Sequence, residues 1–320
     1  MSRLTSQSTD GGGGRAAAAD VRAFLDSLAG QPPLRSLSAA DARAAVRQLV
    51  AAVDLPADPS VASQDFQFDA GGAHQLRARA FEPANAAPGP VIIYMHGGGW
   101  TTGDLDTHDS LCRSIAARTA LRLISVDYRL APEAPFPAAY EDALFATQRV
   151  LAGAGPFDAR QGVVVAGDSA GGGLAAAVAH AHRGNDFGLR AQLLLYPVLD
   201  VAGRGHSYAE CAEGYLLEAA DMENFMDAYV PDREQRHDPR CSPLLAESFD
   251  SLPPLALLTC GFDPLRDEGR AYAARCVKAG VDVHFIEAAG HIHGIATLRR
   301  AIASSQHVLD RVYAGLLRLL

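Results

Sequence analysis

Cysteine is sparse and scattered: Cys112, Cys211, Cys241, Cys260 and Cys276 are odd in number and far apart, with no CxxC step. That spacing suggests neither a zinc site nor a disulfide framework, and a reduced, cytoplasmic setting is the simplest expectation. No apolar run approaches the roughly 20 residues that a membrane-spanning helix needs. Met1 to Arg15 offers Ser, Thr, Gln and the Gly11 to Gly14 run in place of a signal peptide's apolar core, and reads as a flexible leader. Positive charge is also short, since 28 Lys and Arg against 37 Asp and Glu leave a net charge of −9. Nucleic acid and anionic membranes are held by clustered Lys and Arg, so neither is an expected partner, and a small neutral substrate fits better. With 48% hydrophobic and 20% charged residues, the chain has the composition of an ordinary globular protein.

Hydrophobic spacing divides the chain. Ala16 to Leu28 and Ala39 to Val53 have helical periodicity, the second after Ser36 and Ser38 as candidate N-caps. Phe66 to Phe68 and Leu76 to Phe81 alternate around Gly71-Gly72, a hairpin signal. Beyond Pro90, short apolar runs recur at Val91–Met95, Arg122–Val126, Gly162–Val165, Ala191–Leu195, Leu255–Thr259 and Val281–Ile286, most of them separated by helical stretches. That rhythm predicts an α/β fold with a mainly parallel sheet flanked by helices. It breaks between residues 200 and 240, where Leu216 to Tyr229 is amphipathic and no strand is evident. The expected organisation is a leader over 1–15, N-terminal cap helices over 16–55, a cap insertion over 200–240, and an α/β unit made of 56–199 and 241–320. Ile295 to Leu320 reads as helical, and the last strand, if it is a sheet edge, could pair with a second copy.

The strongest chemical signal is Gly167-Asp168-Ser169-Ala170-Gly171, a GxSxG pattern between the apolar run Val163–Val165 and the helix-forming stretch Leu174–Ala179. A serine presented on such a turn needs small neighbours, and side chains at Gly167 or Gly171 would collide with the adjoining strand or helix. Its hydroxyl needs a base within reach to act as a nucleophile. A Gly-rich phosphate-binding turn is the plainer alternative, although neither the P-loop nor the dinucleotide pattern is present. His96-Gly97-Gly98-Gly99-Trp100 follows the run Val91–Met95, placing a glycine loop at the same sheet edge as Ser169. The backbone N–H groups of Gly97, Gly98 and Ala170 are the candidate oxyanion donors. Asp263 stands just after the run Leu255–Thr259 and can orient a histidine or merely cap a helix, while Asp267 and Glu268 read as structural. His291 and His293 both follow the last strand, and spacing does not separate them. Trp100, Tyr196, Leu199 and Tyr215 are candidate pocket-lining residues, or ordinary core.

Taken together, His96–Trp100, Val126-Asp127-Tyr128-Arg129-Leu130-Ala131-Pro132-Glu133, Gly167–Gly172, Asp263-Pro264-Leu265-Arg266-Asp267-Glu268-Gly269 and Ile292-His293-Gly294 resemble, in order, the motifs of the hormone-sensitive-lipase-type (bacterial family IV) esterases. The resemblance implies an eight-stranded α/β-hydrolase sheet with a helical cap, no metal or cofactor, and hydrolysis of mostly short-chain acyl esters. It implies Ser169, Asp263 and His293 as the catalytic triad, with the base at the His-Gly step. The motif from Val126 to Glu133 is expected to be scaffold, with Arg129 and Glu133 in buried polar contacts. An amidase or formamidase would use the same residues. A binding protein that had lost catalysis is expected to lack one of them.

Overall fold

A computed structural model of the chain describes residues 16–69, 75–184 and 188–320; the expected leader and the Gly71-Gly72 turn lie outside them. The strands are β1 (Val61–Asp69), β2 (Gln75–Pro83), β3 (Val91–Met95), β4 (Leu123–Val126), β5 (Val163–Asp168), β6 (Leu189–Leu195), β7 (Leu255–Phe262) and β8 (Val283–Ile292). The helices are α1 (Ala19–Ser27), α2 (Ala39–Val53), α3 (Asp109–Thr119), α4 (Ala138–Leu151), α5 (Ala170–Ala181), α6 (His206–Glu210), α7 (Ala219–Tyr229), α8 (Arg266–Lys278) and α9 (Ser305–Leu319). All eight strands form one sheet in the order β1-β2-β4-β3-β5-β6-β7-β8. β1 and β2 run antiparallel to each other, β2 runs antiparallel to β4, and the remaining pairs are parallel.

Burial on both faces explains the unbroken apolar runs of the central strands: every residue of β3, β4 and β5 is buried. One face packs on α4 and α5, through residues such as Ile93, Val165 and Ala176. The other packs on α3 and α9, through Ile92, Val164 and Leu309. Side chains alternate between the faces along each strand, so Ile92 and Ile93 enter different clusters. α5 can lie close to the sheet because Gly171 to Gly173 lack side chains; a Cβ at Gly171 would collide with the carbonyl oxygen of Met95 at the end of β3.

The chain departs from the sequence pattern at the C-terminal side of the sheet. β8 starts at Val283 and continues to Ile292, well past the expected Ile286, because β7 is also longer and holds Ala288 and Ile292 in register across an irregularity at Cys260/Phe262. Ala288-Ala289-Gly290 has little strand propensity, so pairing rather than composition extends the strand. The expected helix from Ile295 is delayed to Ser305. Between them Arg299 is drawn into a buried ion pair with Asp54 (2.7 and 2.8 Å), and Ser304 is held by Asp20. Among the described residues, no helix is long and apolar enough to cross a membrane.

Candidate active site

β5 delivers its last residue, Asp168, directly to Ser169, whose φ of +53° lies in the left-handed region before α5 begins at Ala170. A non-glycine residue in that region carries backbone strain, and here the surrounding packing holds it. Gly167 and Gly171 are required as the sequence predicts: a Cβ at Gly167 would meet the Gly171 backbone, and one at Gly171 the end of β3. The turn thereby holds Ser169 at the junction of β5 and α5.

The structure brings Ser169, His293 and Asp263 into line. Ser169 Oγ donates to His293 Nε2 at 2.8 Å, and His293 Nδ1 donates to Asp263 Oδ2 at 2.8 Å. Asp263 is fully buried at the end of β7, and its other oxygen accepts the Leu265 N–H at 2.9 Å, which fixes the carboxylate plane. The extension of β8 carries His293 to this point. Tyr196 packs edge-on against the imidazole, 4.7 Å between ring centres, and its hydroxyl accepts the Ala296 N–H at 3.1 Å, bracing the loop after His293. His291 points elsewhere. Its Nε2 meets Ser304 Oγ at 2.9 Å, and that hydroxyl donates to Asp20 of α1 at 3.0 Å. Geometry therefore separates the two histidines that spacing left equivalent.

The glycine loop lies beside the turn that carries Ser169 but differs in one respect from expectation. The Gly97 N–H, a candidate oxyanion donor, is engaged by Asp168 Oδ1 at 2.8 Å and cannot point at a reacting carbonyl. The next amides, of Gly98 and Gly99, and that of Ala170 have no hydrogen-bond partner among the described residues. Gly98 and Gly99 both have positive φ, at +116° and +59°, and this permits successive N–H groups to turn toward one point. His96 Nδ1 donates to the Gly97 carbonyl at 2.8 Å, and burial lowers its pKa to about 4, so the ring is neutral. Tyr128 stacks on His96 and donates to its carbonyl at 2.7 Å.

Other expected residues take different places. Arg129 grips the buried Asp142 at 2.8 Å, as a scaffold role requires. Glu133 is 63% exposed, so the buried contact expected of it is not found; it pairs at the surface with Arg43 of α2. Asp267 accepts the Ser207 N–H, and Glu268 accepts the Leu199 N–H at 3.1 Å. Burial pushes the Glu268 carboxyl well above its ordinary 4.5. An acid with a raised pKa supports the fold below that ordinary value and loses the contribution as pH rises. Glu268→Gln should therefore raise Tm by an amount that grows between pH 5 and pH 8, to about 3 °C or more at the upper end. A melting-temperature difference that is flat across that range would show the carboxyl is not held neutral.

An apolar cavity of about 630 Å³ lies between α1, α2 and the segment leading into α7, lined by Leu25, Leu28, Leu34, Leu37, Val46, Leu49, Tyr215, Leu216 and Phe225 among others. Two of these touch the site: Phe225 packs where a Cβ on Gly99 would lie, and Leu216 is beside Gly294. Of the four expected pocket residues only Tyr215 lines the cavity. Trp100 is buried face to face on Tyr229, Tyr196 is committed to the His293 loop, and Leu199 is fully buried. The lining residues from α2 could have been suspected, because only Ala42 of its fifteen residues is buried and its apolar stripe needed another use. Arg35 joins the two sides of the cavity by bonding Glu218 and Asp221 at 3.0 and 2.9 Å.

Residues 92–297 match a family described by the α/β-hydrolase fold. The chain is 40% identical to a carboxylic ester hydrolase of Mycobacterium tuberculosis over 71% of its own length, and spans 63% of that relative. It is 35% identical to an ethyl acetate hydrolase of Pseudomonas putida, over 89% of this chain and 91% of the other. Among solved structures, an ester hydrolase from the metagenome of Lake Arreo, complexed with a bipyridine phosphonate derivative, superposes with a TM-score of 0.89 at 38% identity, covering 94% of this chain and 98% of that one.

Proposed function

The chain belongs to the α/β-hydrolase family, among the hormone-sensitive-lipase-like carboxylic ester hydrolases, and on that premise we propose that it cleaves short- to medium-chain acyl esters through an acyl-enzyme on Ser169. The observation that carries this reading is the unbroken relay of two 2.8 Å hydrogen bonds from Ser169 through His293 to the buried Asp263. Ser169 Oγ attacks the ester carbonyl as His293 Nε2 takes its proton, and Asp263 steadies the imidazolium that results. The carbonyl oxygen becomes an oxyanion among the N–H groups of Gly98, Gly99 and Ala170, at the positive end of α5. His293 returns the proton to the departing alcohol, and water, activated in the same way, releases the acid. The apolar cavity suits an uncharged acyl or alcohol group and is of ordinary small-ligand size.

Hydrolysis of p-nitrophenyl esters from acetate to palmitate, beside a matched anilide, tests the proposal. Rates should peak on short to medium chains and be far lower on the anilide. Preference for the anilide would make the protein an amidase, and inactivity on every ester would leave a binding role.

A further inference from the structure

Asp168, beside the nucleophile, takes no part in the relay just described, yet it is buried with 6% of its side chain exposed. One carboxylate oxygen, Oδ1, accepts from two parts of the fold, Tyr94 Oη of β3 at 2.7 Å and the Gly97 N–H of the glycine loop at 2.8 Å, and lies 3.3 Å from His108 Nε2, just before α3. The Gly97 N–H also points at His108 Nε2, which accepts it at the longer distance of 3.3 Å. Contact between the loop and Asp168 is tight enough that a Cβ at Gly97 would collide with Asp168 Oδ2.

A buried negative charge one residue from Ser169 opposes the negative charge that develops on the oxyanion, and on electrostatic grounds alone it should slow ester cleavage. Its presence is explained if what it contributes is position. Resting on the reading of Ser169 as nucleophile, we propose that Asp168 is a positioning residue: by accepting the Gly97 N–H it locks the glycine loop to the turn that carries Ser169, so that the next two amides, Gly98 and Gly99, face the oxyanion. Elsewhere the loop is held through its carbonyls, that of Gly97 by His96 Nδ1 and that of Gly98 by the Thr101 and Thr102 N–H groups, whereas Asp168 takes hold of an amide, from the residue next to Ser169. Since Asp168 and Ser169 are adjacent in the chain, donors and nucleophile are set from a single short segment.

The acceptor, not the charge, is the working feature, and that separates two variants. Asp168→Asn keeps an oxygen for Gly97 and should leave kcat on p-nitrophenyl butyrate within about three-fold of the parent. Asp168→Ala removes the acceptor and should lower kcat by about 10²-fold with little change in KM, because the misplaced donors act on the transition state. Affinity for a trifluoromethyl ketone, which forms an oxyanion on Ser169, should fall in parallel in the alanine variant alone. Retained kcat in Asp168→Ala, equal losses in both variants, or a fall in kcat with unchanged ketone affinity would overturn the proposal. If Asp168→Ala does not fold, amide exchange in the 15N-glycine-labelled parent decides the matter: Gly97 should exchange far more slowly than Gly98, and comparable rates would overturn it. Ser169→Ala tested alongside keeps the two ideas apart. Full activity there sinks the nucleophile assignment, whereas an inactive Ser169→Ala with an unimpaired Asp168→Ala sinks only the present one.

Discussion

Ser169→Ala is expected to lower kcat on p-nitrophenyl butyrate by about 10⁴-fold or more, with a circular dichroism spectrum and Tm close to the parent's. The size follows from what the substitution leaves. The carbonyl would still sit near the backbone donors, but no oxygen would remain 2.8 Å from His293 Nε2 to be activated. Only direct attack by water remains, with donors and binding still contributing. His293→Ala should lose a similar amount, and the double variant scarcely more, because the two groups act as one unit and their losses do not add. Stability should hold because alanine removes one hydroxyl from a residue whose φ of +53° is imposed by the turn and not by its side chain. Turnover within about ten-fold of the parent in Ser169→Ala would end the acyl-enzyme mechanism.

Gly171→Ala should act by the opposite route, damaging the scaffold first. The added methyl would occupy the space of the Met95 and His96 carbonyl oxygens, and those belong to backbone that cannot swing aside like a side chain. Overpacking of this kind costs about 3 kcal/mol when strand and helix must separate, equivalent to a Tm fall of about 4–5 °C for a chain of this size. Separation would also tilt α5 away from β3, and with it Ala170 away from the glycine loop, so activity should fall more steeply than stability at temperatures where the variant is still folded. Thermal melts paired with initial rates at 20 °C measure both. A Gly171→Ala protein with parental Tm and kcat would show that turn and strand have slack between them.

These outcomes also mark how far the sequence could be read. The β-runs were legible because burial on two faces requires continuous apolar strands, and Ser169 because its glycines answer a steric demand visible in local spacing. The extension of β8 was not, since Ala288 to Ile292 becomes strand only through its pairing with β7. The same holds for the Gly97 amide. Nothing within the run His96–Trp100 says that its first glycine is taken by a carboxylate 71 positions away, and the residues around Asp168 do not say what it serves. Trp100, Tyr196 and Leu199 look like pocket residues by type and neighbourhood, yet burial in the core or against His293 uses them first. The cavity lies between α2 and the segment before α7, parts of the two stretches expected to form a cap, but which of their side chains face it depends on packing that local spacing does not give.

The attachment of the N-terminal segment has a consequence for engineering. Asp20 holds Ser304, which meets His291, and Asp54 holds Arg299, while the Ala18 N–H bonds the Gly290 carbonyl; all three contacts fall on the stretch that flanks His293. The first two helices are thus a splint for the His293 segment as well as a wall of the cavity. A chimera that borrows another enzyme's N-terminal helices to change substrate range must import matching partners for residues 290–304 as well. Without them, altered selectivity and a loosened His293 will arrive together and be mistaken for a single effect.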